Sequence, residues 1–188
     1  KGRLEKDFGL TVIEMEHTLK GSNYLYEHPE KRAEDLMEAF RNPEIKGIIS
    51  CIGGSESIRL LPYIDFEVIR KNTKIFIGYS DTTIGHLICL KAGLSSFYGP
   101  SILAEFAENV RMFPYTVDQV HRALFSTEPI GLIPEAEGWT SEHLPWLLAN
   151  KEKSRTLLPY EGIQVLQGHG KVTGRLMGGC IEVLEMAK

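Results

Sequence analysis

The sequence lacks the long hydrophobic runs of a membrane protein. Its apolar runs, such as Ile75–Ile77 and Leu87–Leu90, are far shorter than the roughly 18 residues that a membrane span needs. No charged, then apolar, then small-residue signal segment opens the chain. Only three of the 188 residues are cysteines, and none stands in CxxC spacing, so we expect reduced core thiols rather than disulfides or a zinc site.

The sequence also lacks an excess of positive charge. Lys and Arg total 21 against 25 Asp and Glu, a formal net charge of −4, and no stretch gathers the basic residues into one face. Nucleic acid is therefore not an expected partner. The apolar share of 43% and the charged share of 24% are those of globular proteins. These features predict a soluble, cytoplasmic protein.

The first part of the chain alternates between strand and helix patterns. Apolar or β-branched runs of strand length lie at Leu10–Met15, Gly47–Ile52, Lys74–Ile77 and Ser95–Tyr98, and helical patterns lie at Lys1–Lys6, Pro29–Asn42, Ser57–Ile64 and Asp81–Ala92. Gly9 and Gly93 follow two of the helical patterns as stop signals. This alternation predicts an α/β fold, with a parallel-sheet N-terminal domain and flanking helices over residues 1–112.

The second part of the chain has a different organisation. Residues 113–161 hold one helical pattern around Val117–Phe125, followed by a stretch with four prolines and both tryptophans, which predicts a long connection or loop. Strand patterns at Gly162–Leu166 and Lys171–Leu176, followed by a helix at Cys180–Met186, predict the start of a second α/β domain over 162–188. Because both ends lie within helical patterns, we expect a segment of a longer protein.

Ser80 is the candidate nucleophile. It follows the apolar strand pattern that ends at Gly78, and Asp81 opens a helical pattern, so its hydroxyl would project from a strand-turn-helix elbow. The pattern is that of a GxSxG nucleophile elbow with Thr82 in place of the last Gly, and the N–H of Asp81 could help to bind an oxyanion. Ser is also among the best helix N-cap residues, so a purely structural role stays open.

A second strand-to-helix turn carries Gly53 and Gly54 after the buried run that ends at Ile52. A glycine pair lets the backbone approach a ligand and aim N–H groups at it, so this turn could supply the second oxyanion donor beside Ser80. An ordinary tight turn is the alternative. The spacing fits neither a phosphate loop nor a dinucleotide fingerprint.

No histidine of the sequence is well placed to be the base for Ser80. His86 lies six residues further along the same helix, about 240° around its axis at about 100° per residue, so it should point away. The other five are expected to be surface or structural residues: His17, His28, His121, His143 and His169. With no clustered ligands at metal spacing, we expect neither a metal nor another cofactor.

Five motifs together resemble the LD-carboxypeptidase family of serine peptidases, which includes murein-recycling enzymes and microcin C self-immunity proteins. They cover essentially the whole chain, in the order and approximate spacing of that family. They are Ile52-Gly53-Gly54, Leu60-Leu61-Pro62-Tyr63-Ile64-Asp65, Ile77-Gly78-Tyr79-Ser80-Asp81-Thr82-Thr83, Phe97-Tyr98-Gly99-Pro100 and Gly174-Arg175-Leu176-Met177-Gly178-Gly179.

The resemblance implies a Ser-Glu-His triad with Ser80 as nucleophile. It implies an oxyanion hole formed by the N–H groups of Asp81 and of the Gly53-Gly54 turn. The triad Glu and His are implied to lie beyond Lys188, and the first strand of the N-terminal domain before Lys1, so this segment alone should be inactive. A homodimer is likewise implied.

The tryptophans Trp139 and Trp146 decide the branch of the family that we expect. The segment from Gly138 to Trp146 is similar to the tryptophan-containing loop of the microcin immunity proteins, in which an aromatic ring stacks on the nucleotide part of the substrate. The resemblance therefore implies a peptidyl- or aminoacyl-nucleotide substrate, with a murein tetrapeptide as the alternative. A packing role for either ring stays open, and Glu56 stands where relatives often carry a small or amide residue.

Two other classes of function stay open from the residues alone. A non-catalytic α/β ligand-binding module would also place glycine-rich turns at strand ends. A phosphoacceptor role for Asp81 is weaker, because it needs an acidic cluster at a neighbouring strand end and Gly53-Gly54 provides none.

Overall fold

The computed structural model describes residues 1–188, which form two compact units. One unit comprises Lys1–Phe106 with Gly178–Lys188, and the other comprises Ala107–Met177. The predicted domain boundaries at residues 112 and 161 concern the whole protein and stay predictions. None of the helices combines the length and the apolar character that crossing a membrane requires.

Seven α-helices and five short strands make up the regular structure. In chain order they are α1 (Gly2–Phe8), α2 (Ser22–Glu27), α3 (Pro29–Arg41), β1 (Gly47–Ile49), α4 (Phe66–Lys71), β2 (Ile75–Gly78), α5 (Thr83–Ala92), β3 (Phe97–Tyr98), α6 (Pro114–Leu124), β4 (Gly138–Trp139), β5 (Leu158–Pro159) and α7 (Ile181–Met186). Three 3₁₀ helices cover Ser57–Tyr63, Ser80–Thr82 and Leu148–Asn150.

The first unit is built on a parallel sheet in the order β1-β2-β3. Ile49 pairs with Ile77, and Gly78 pairs with Tyr98 at the carboxyl end of the sheet. Parallel strands require crossover connections, and the helical segments between these strands provide them. The predicted α/β class with a parallel sheet is confirmed.

The core of this unit joins the sheet to helices α3, α4, α5 and α7. Its buried residues are Met37, Phe40, Ile69, Phe76, Ile84, Ile88, Cys89, Ala92, Leu94 and Val183. Ala33, Met37 and Phe40 are buried at the four-residue and three-residue spacing of one helix face, which explains why the α3 pattern could be recognised. Gly9 and Gly93 adopt left-handed conformations, with φ of 64° and 87°, and end α1 and α5 as predicted.

The second unit contains α6 and a two-stranded antiparallel pair in which Gly138 lies opposite Pro159. Glu108 is buried, and its two carboxylate oxygens accept from Arg155 Nε at 3.2 and 3.0 Å. The guanidinium of Arg155 also lies 5.6 Å from the centre of the Phe113 ring. This bidentate pair connects two parts of the unit that are 47 residues apart in the sequence.

Two predictions for residues 162–176 are wrong. The chain forms no strand over Gly162–Leu166 or Lys171–Leu176, although both have strand-like sequence patterns. Val165 is 77% exposed and Val172 is fully exposed, so these side chains have no packed face to join. A strand needs a paired neighbour as well as suitable residue types, and no neighbouring strand pairs with either segment.

The three cysteines are free thiols, as predicted. Cys89 is buried in the core, and this burial raises the pKa of its thiol to about 12. Cys51 and Cys180 lie only half-buried. The expectation of core thiols therefore holds for Cys89 alone.

Candidate active site

Ser80 lies at a sharp turn between β2 and α5. Its backbone φ is 60°, one of only two positive values among the non-glycine residues. Such a conformation costs a non-glycine residue about 1–3 kcal/mol and persists only where the surrounding structure fixes it. The alternative of an N-cap is wrong, because the N-cap residues of the 3₁₀ turn and of α5 are Tyr79 and Thr82. The elbow that the sequence predicted is present.

The Gly53-Gly54 turn lies directly against the Ser80 side chain. A Cβ atom added to Gly53 would lie 2.8 Å from Ser80 Cβ and 2.9 Å from Ser80 Oγ. Both distances are shorter than any that real Cβ atoms adopt, so only glycine lets the backbone come this close. The structure therefore brings the two predicted strand-end turns together.

A buried carboxylate fixes the position of the loop that follows this turn. Asp81 is 2% exposed, and its Oδ2 accepts the backbone N–H groups of Glu56 at 3.0 Å and Ser57 at 2.9 Å. Gly54 lies beside the same oxygen, at 3.3 Å for an added Cβ. The Asp81 side chain is thus buried and engaged with the backbone, which removes the exposed carboxylate that a phosphoacceptor needs.

The backbone N–H of Ser80 is held by a side chain that sequence reasoning did not single out. It donates to the hydroxyl of Tyr98 at 3.1 Å. The pairing of Gly78 with Tyr98 in the sheet puts Tyr98 beside the elbow. Only this register could have indicated the contact, because the two residues are 18 positions apart in the sequence.

His86 is held behind the elbow and not beside the hydroxyl, as its helical position predicted. Its Nε2 bonds the carbonyl oxygen of Gly78 at 2.9 Å and its Nδ1 bonds Ser96 Oγ at 2.8 Å. A carbonyl can only accept, so Nε2 carries the proton. Burial lowers the pKa of His86, so the ring is neutral and Nδ1 accepts from the Ser96 hydroxyl. Both ring nitrogens therefore serve the fold.

The other histidines of the first unit are also engaged away from Ser80. His17 Nδ1 lies 2.8 Å from Asp35 Oδ1, and His28 Nδ1 lies 2.9 Å from Glu30 Oε1. Both contacts tie local segments to α3. Within this unit, no histidine is thus available as a base for Ser80.

The Gly178-Gly179 motif packs against the start of α5. Cys180 donates its backbone N–H to Thr83 Oγ1 at 2.9 Å, and a Cβ on Gly179 would lie 2.5 Å from Thr83 Cγ2. Thr83 is fully buried. Gly179, the last residue of the fifth sequence motif, therefore lies against Thr83, three residues after the candidate nucleophile, where only glycine fits.

A cavity of about 690 Å³ is bordered by the Gly53-Gly54 turn. Its lining includes the apolar residues Ile48 and Phe76 together with Ser50 and Asp81. Ser50 Oγ and Asp81 Oδ1 are buried and have no hydrogen-bond partner. Ser80 is not among the lining residues, but Gly53, Gly54 and Asp81 are, so the cavity adjoins the turn that lies against the candidate nucleophile.

The two tryptophans differ in how firmly they are held within the second unit. Trp139 belongs to β4, and its indole Nε1–H donates to the carbonyl of Pro159 at 3.1 Å while 49% of the residue stays exposed. Trp146 lies outside regular structure and is 68% exposed. Of the two, only Trp139 has its indole N–H held by the backbone.

No three His, Cys, Asp or Glu side chains are grouped so that they could hold a metal ion.

Comparison with known proteins identifies a family. The profile of the LD-carboxypeptidase N-terminal domain, Peptidase_S66, matches residues 1–99. The microcin C7 self-immunity protein MccF of Escherichia coli is 35% identical over 159 residues, which are 82% of this chain and 45% of that protein. A structure of MccF in complex with aspartyl sulfamoyl adenosine has a TM-score of 0.79 and 32% identity, covering 96% of this chain and 54% of that one.

Two further solved structures are similar. An MccF-like protein from Streptococcus pneumoniae, in complex with AMP, has a TM-score of 0.88 and 35% identity over 97% of this chain and 54% of that chain. A muramoyltetrapeptide carboxypeptidase from Oxalobacter formigenes has a TM-score of 0.56 and 31% identity over 65% of this chain and 41% of that chain. The chain spans about half the length of the curated relatives that it matches most fully.

Proposed function

This chain belongs to the LD-carboxypeptidase family Peptidase_S66, and we propose that it supplies the nucleophile and the oxyanion hole of a serine-type amide hydrolase. The observation that carries the proposal is the conformation of Ser80, with φ at 60° and the Gly53 backbone against its hydroxyl. A strained, partly exposed serine at the carboxyl edge of a parallel sheet is the arrangement of a nucleophile elbow.

In the proposed reaction, Ser80 Oγ attacks the carbonyl carbon of the scissile amide and its proton passes to a base. The C–N bond then breaks, the amine leaves with a proton from that base, and an ester on Ser80 remains. Water hydrolyses this ester, which restores the serine hydroxyl and releases a carboxylic acid.

The oxyanion of the tetrahedral intermediate would be held by the backbone N–H of Asp81 and an N–H of the Gly53-Gly54 turn. Two features support this assignment. The Asp81 carboxylate fixes the loop through Glu56 and Ser57, so the donors of turn and elbow are preorganised. The N–H of Ser80 itself is already taken by Tyr98.

The base and its orienting carboxylate are proposed to be a His and a Glu outside residues 1–188, as the family resemblance implies. The engagement of His17, His28 and His86 elsewhere supports this proposal. Residues 1–188 alone should therefore not hydrolyse the substrate. We also propose a cytoplasmic homodimer without a cofactor: the dimer is implied by the family resemblance, and the location and the lack of a cofactor are predicted from the sequence.

We propose a peptidyl- or aminoacyl-nucleotide as the substrate. The similarity to proteins solved with AMP and with aspartyl sulfamoyl adenosine supports this class. Trp139 is the better of the two stacking candidates, because its indole N–H is fixed while about half of its surface stays open. A base stacked on a ring that is already ordered loses less conformational entropy.

A murein tetrapeptide is the second candidate substrate. The likeness to the muramoyltetrapeptide carboxypeptidase of Oxalobacter formigenes favours it, at 31% identity. That similarity covers 65% of this chain, against 97% for the AMP-bound protein, which favours the nucleotide class.

The test is hydrolysis by the complete protein of an aminoacyl-adenylate analogue with a cleavable amide and of a murein tetrapeptide. Ser80→Ala should lower kcat by about 10³-fold or more on the preferred substrate, because only binding and oxyanion contributions remain. Ser95→Ala is the matched control, since Ser95 is exposed on the segment before β3. Hydrolysis at a near-normal rate by Ser80→Ala would refute the proposal, and a protein that binds but never cleaves would be a ligand-binding module.

A further inference from the structure

We infer that the hydroxyl of Tyr98 is a positioning group for the nucleophile elbow and that it is needed for Ser80 reactivity more than for folding. This inference rests on the proposed function of Ser80. The contact that carries it is the hydrogen bond from the backbone N–H of Ser80 to Tyr98 Oη, at 3.1 Å. Tyr98 touches no reacting atom in this arrangement, so its effect on the reaction passes through Ser80.

The place of Ser80 in the chain explains why its N–H needs an outside acceptor. Ser80 is the first residue of the 3₁₀ turn, so its N–H has no partner within that helix. The first bond of the turn is made by Thr82, whose N–H donates to the carbonyl of Tyr79 at 3.2 Å. Tyr98 therefore supplies the acceptor that the turn itself lacks.

The Tyr98 ring is held in place from the sheet and from α5. Its backbone pairs with Gly78, the last residue of β2. Its ring centre lies 5.4 Å from that of His86, and His86 Nε2 bonds the same Gly78 through its carbonyl. The sheet register and His86 together thus fix Tyr98 next to the turn that Ser80 occupies.

The hydrogen bond has a direct consequence for Ser80 Oγ. Ser80 has φ at 60°, and its neighbours are fixed by β2 on one side and by α5 on the other. Relaxation to the negative φ that non-glycine residues prefer would therefore have to rotate the Tyr79–Ser80 peptide plane, which carries the Ser80 N–H. Holding the N–H on Tyr98 opposes that rotation. The bond therefore maintains the direction in which the hydroxyl projects, and it also keeps this N–H out of the oxyanion hole.

The exposure of Tyr98 allows its effect on Ser80 to be tested apart from any effect on the stability of the fold. Tyr98 is 51% exposed and contributes no side chain to the buried core. Replacing it with Phe removes only the hydroxyl and keeps the ring that packs on His86. We therefore expect folding to change little while the geometry of Ser80 loosens.

The experiment compares Tyr98→Phe with Tyr63→Phe and Ser80→Ala in the complete protein. Tyr63 is the matched control, because it is 48% exposed and lies on the 3₁₀ helix Ser57–Tyr63. The readouts are the rate of covalent labelling by a fluorophosphonate probe, kcat and KM on the preferred substrate, the melting temperature and the hydrogen exchange of the Ser80 amide.

In Tyr98→Phe the labelling rate and kcat should each fall about 2- to 10-fold, the ratio that the loss of one neutral hydrogen bond gives. KM and the melting temperature should stay near the wild-type values, and the Ser80 amide should exchange faster. Tyr63→Phe should match the wild type in every readout. Wild-type labelling, kcat and amide exchange in Tyr98→Phe would overturn the inference, and so would a lower melting temperature with unchanged labelling.

The failure of the proposed function would look different. In that case the wild-type protein and Ser80→Ala would show the same fluorophosphonate labelling and the same hydrolysis. The inference that Tyr98 supports Ser80 reactivity would then also be wrong. Amide exchange at Ser80 would then still report whether the Tyr98 hydrogen bond exists, because that readout requires no reaction.

Discussion

The carboxylate of Asp81 accepts the backbone N–H of Ser57 at 2.9 Å, although the two residues are 24 positions apart and Asp81 is 2% exposed. The same oxygen also accepts the N–H of Glu56. One buried side chain thereby joins the elbow to the loop that carries the second proposed oxyanion donor. The relative position of the two donors depends on this connection.

Asp81→Ala should therefore destabilise the protein and impair the reaction together. Two backbone N–H groups lose a charged acceptor, each such bond being worth about 1.5–3 kcal/mol, so the free energy of unfolding should fall by about 3 kcal/mol or more. Asp81→Asn keeps an acceptor oxygen and should lose less. Urea unfolding of both variants, with labelling of Ser80 in parallel, tests this. Equal stability of Asp81→Ala and wild type would contradict the role of the carboxylate.

Gly53→Ala should reduce Ser80 reactivity by steric displacement. The new Cβ would lie 2.8 Å from Ser80 Cβ, so the loop or the elbow must shift. Overpacking of this kind costs about 1–3 kcal/mol, and labelling should slow at least about tenfold. Gly21→Ala is the control, because nothing lies within 4 Å of its added Cβ and its φ is −62°. A Gly53→Ala variant that labels at the wild-type rate would show that the close approach is unimportant.

His86 should make stability depend on pH. Burial lowers the pKa of His86 in the folded state below the ordinary value of 6.5. As pH falls below about 6.5, the unfolded chain therefore takes up a proton that the folded protein resists, and the stabilising contribution declines until the folded pKa is passed. The difference in unfolding free energy between wild type and His86→Gln should shrink from pH 7.5 to pH 5. A constant difference would show that His86 does not titrate differently on folding.

Trp139 should discriminate between the two substrate classes. If its ring stacks on a base, Trp139→Ala removes about 1–3 kcal/mol and lowers kcat/KM for an aminoacyl-adenylate-type substrate by about 5- to 150-fold. Hydrolysis of a murein tetrapeptide, which has no base, should change much less. Trp146→Ala is the comparison variant, since Trp146 is 68% exposed. Equal losses on both substrates would mean that Trp139 acts through loop structure, and no loss on the adenylate in either variant would favour the murein substrate.

The parts of the fold with a strong local pattern could be predicted from the sequence. The apolar spacing of α3 and the glycines after α1 and α5 each carry their own physical signal, and the structure confirms them. His86 also turned away from Ser80 as its position on the helix required. These features depend on residues within a few turns of one another.

The features that sequence reasoning missed depend on pairing between distant segments. Residues 162–166 and 171–176 have strand-like residues but no neighbouring strand to pair with, so the strands that their local pattern predicted do not form. The Tyr98 hydrogen bond to Ser80 depends on strand register, and the Asp81 contacts with Glu56 and Ser57 depend on how two loops meet. None of these contacts leaves a local signature in the sequence.

The identity of the nucleophile is the central claim, and locating a fluorophosphonate adduct tests it most directly. The complete protein is labelled, digested and mapped by mass spectrometry, with Ser80→Ala and Ser95→Ala treated in the same way. The account predicts one modified peptide that carries the adduct on Ser80, still present in Ser95→Ala and absent from Ser80→Ala. An adduct on another residue, or hydrolysis by a protein that never labels at Ser80, would contradict it.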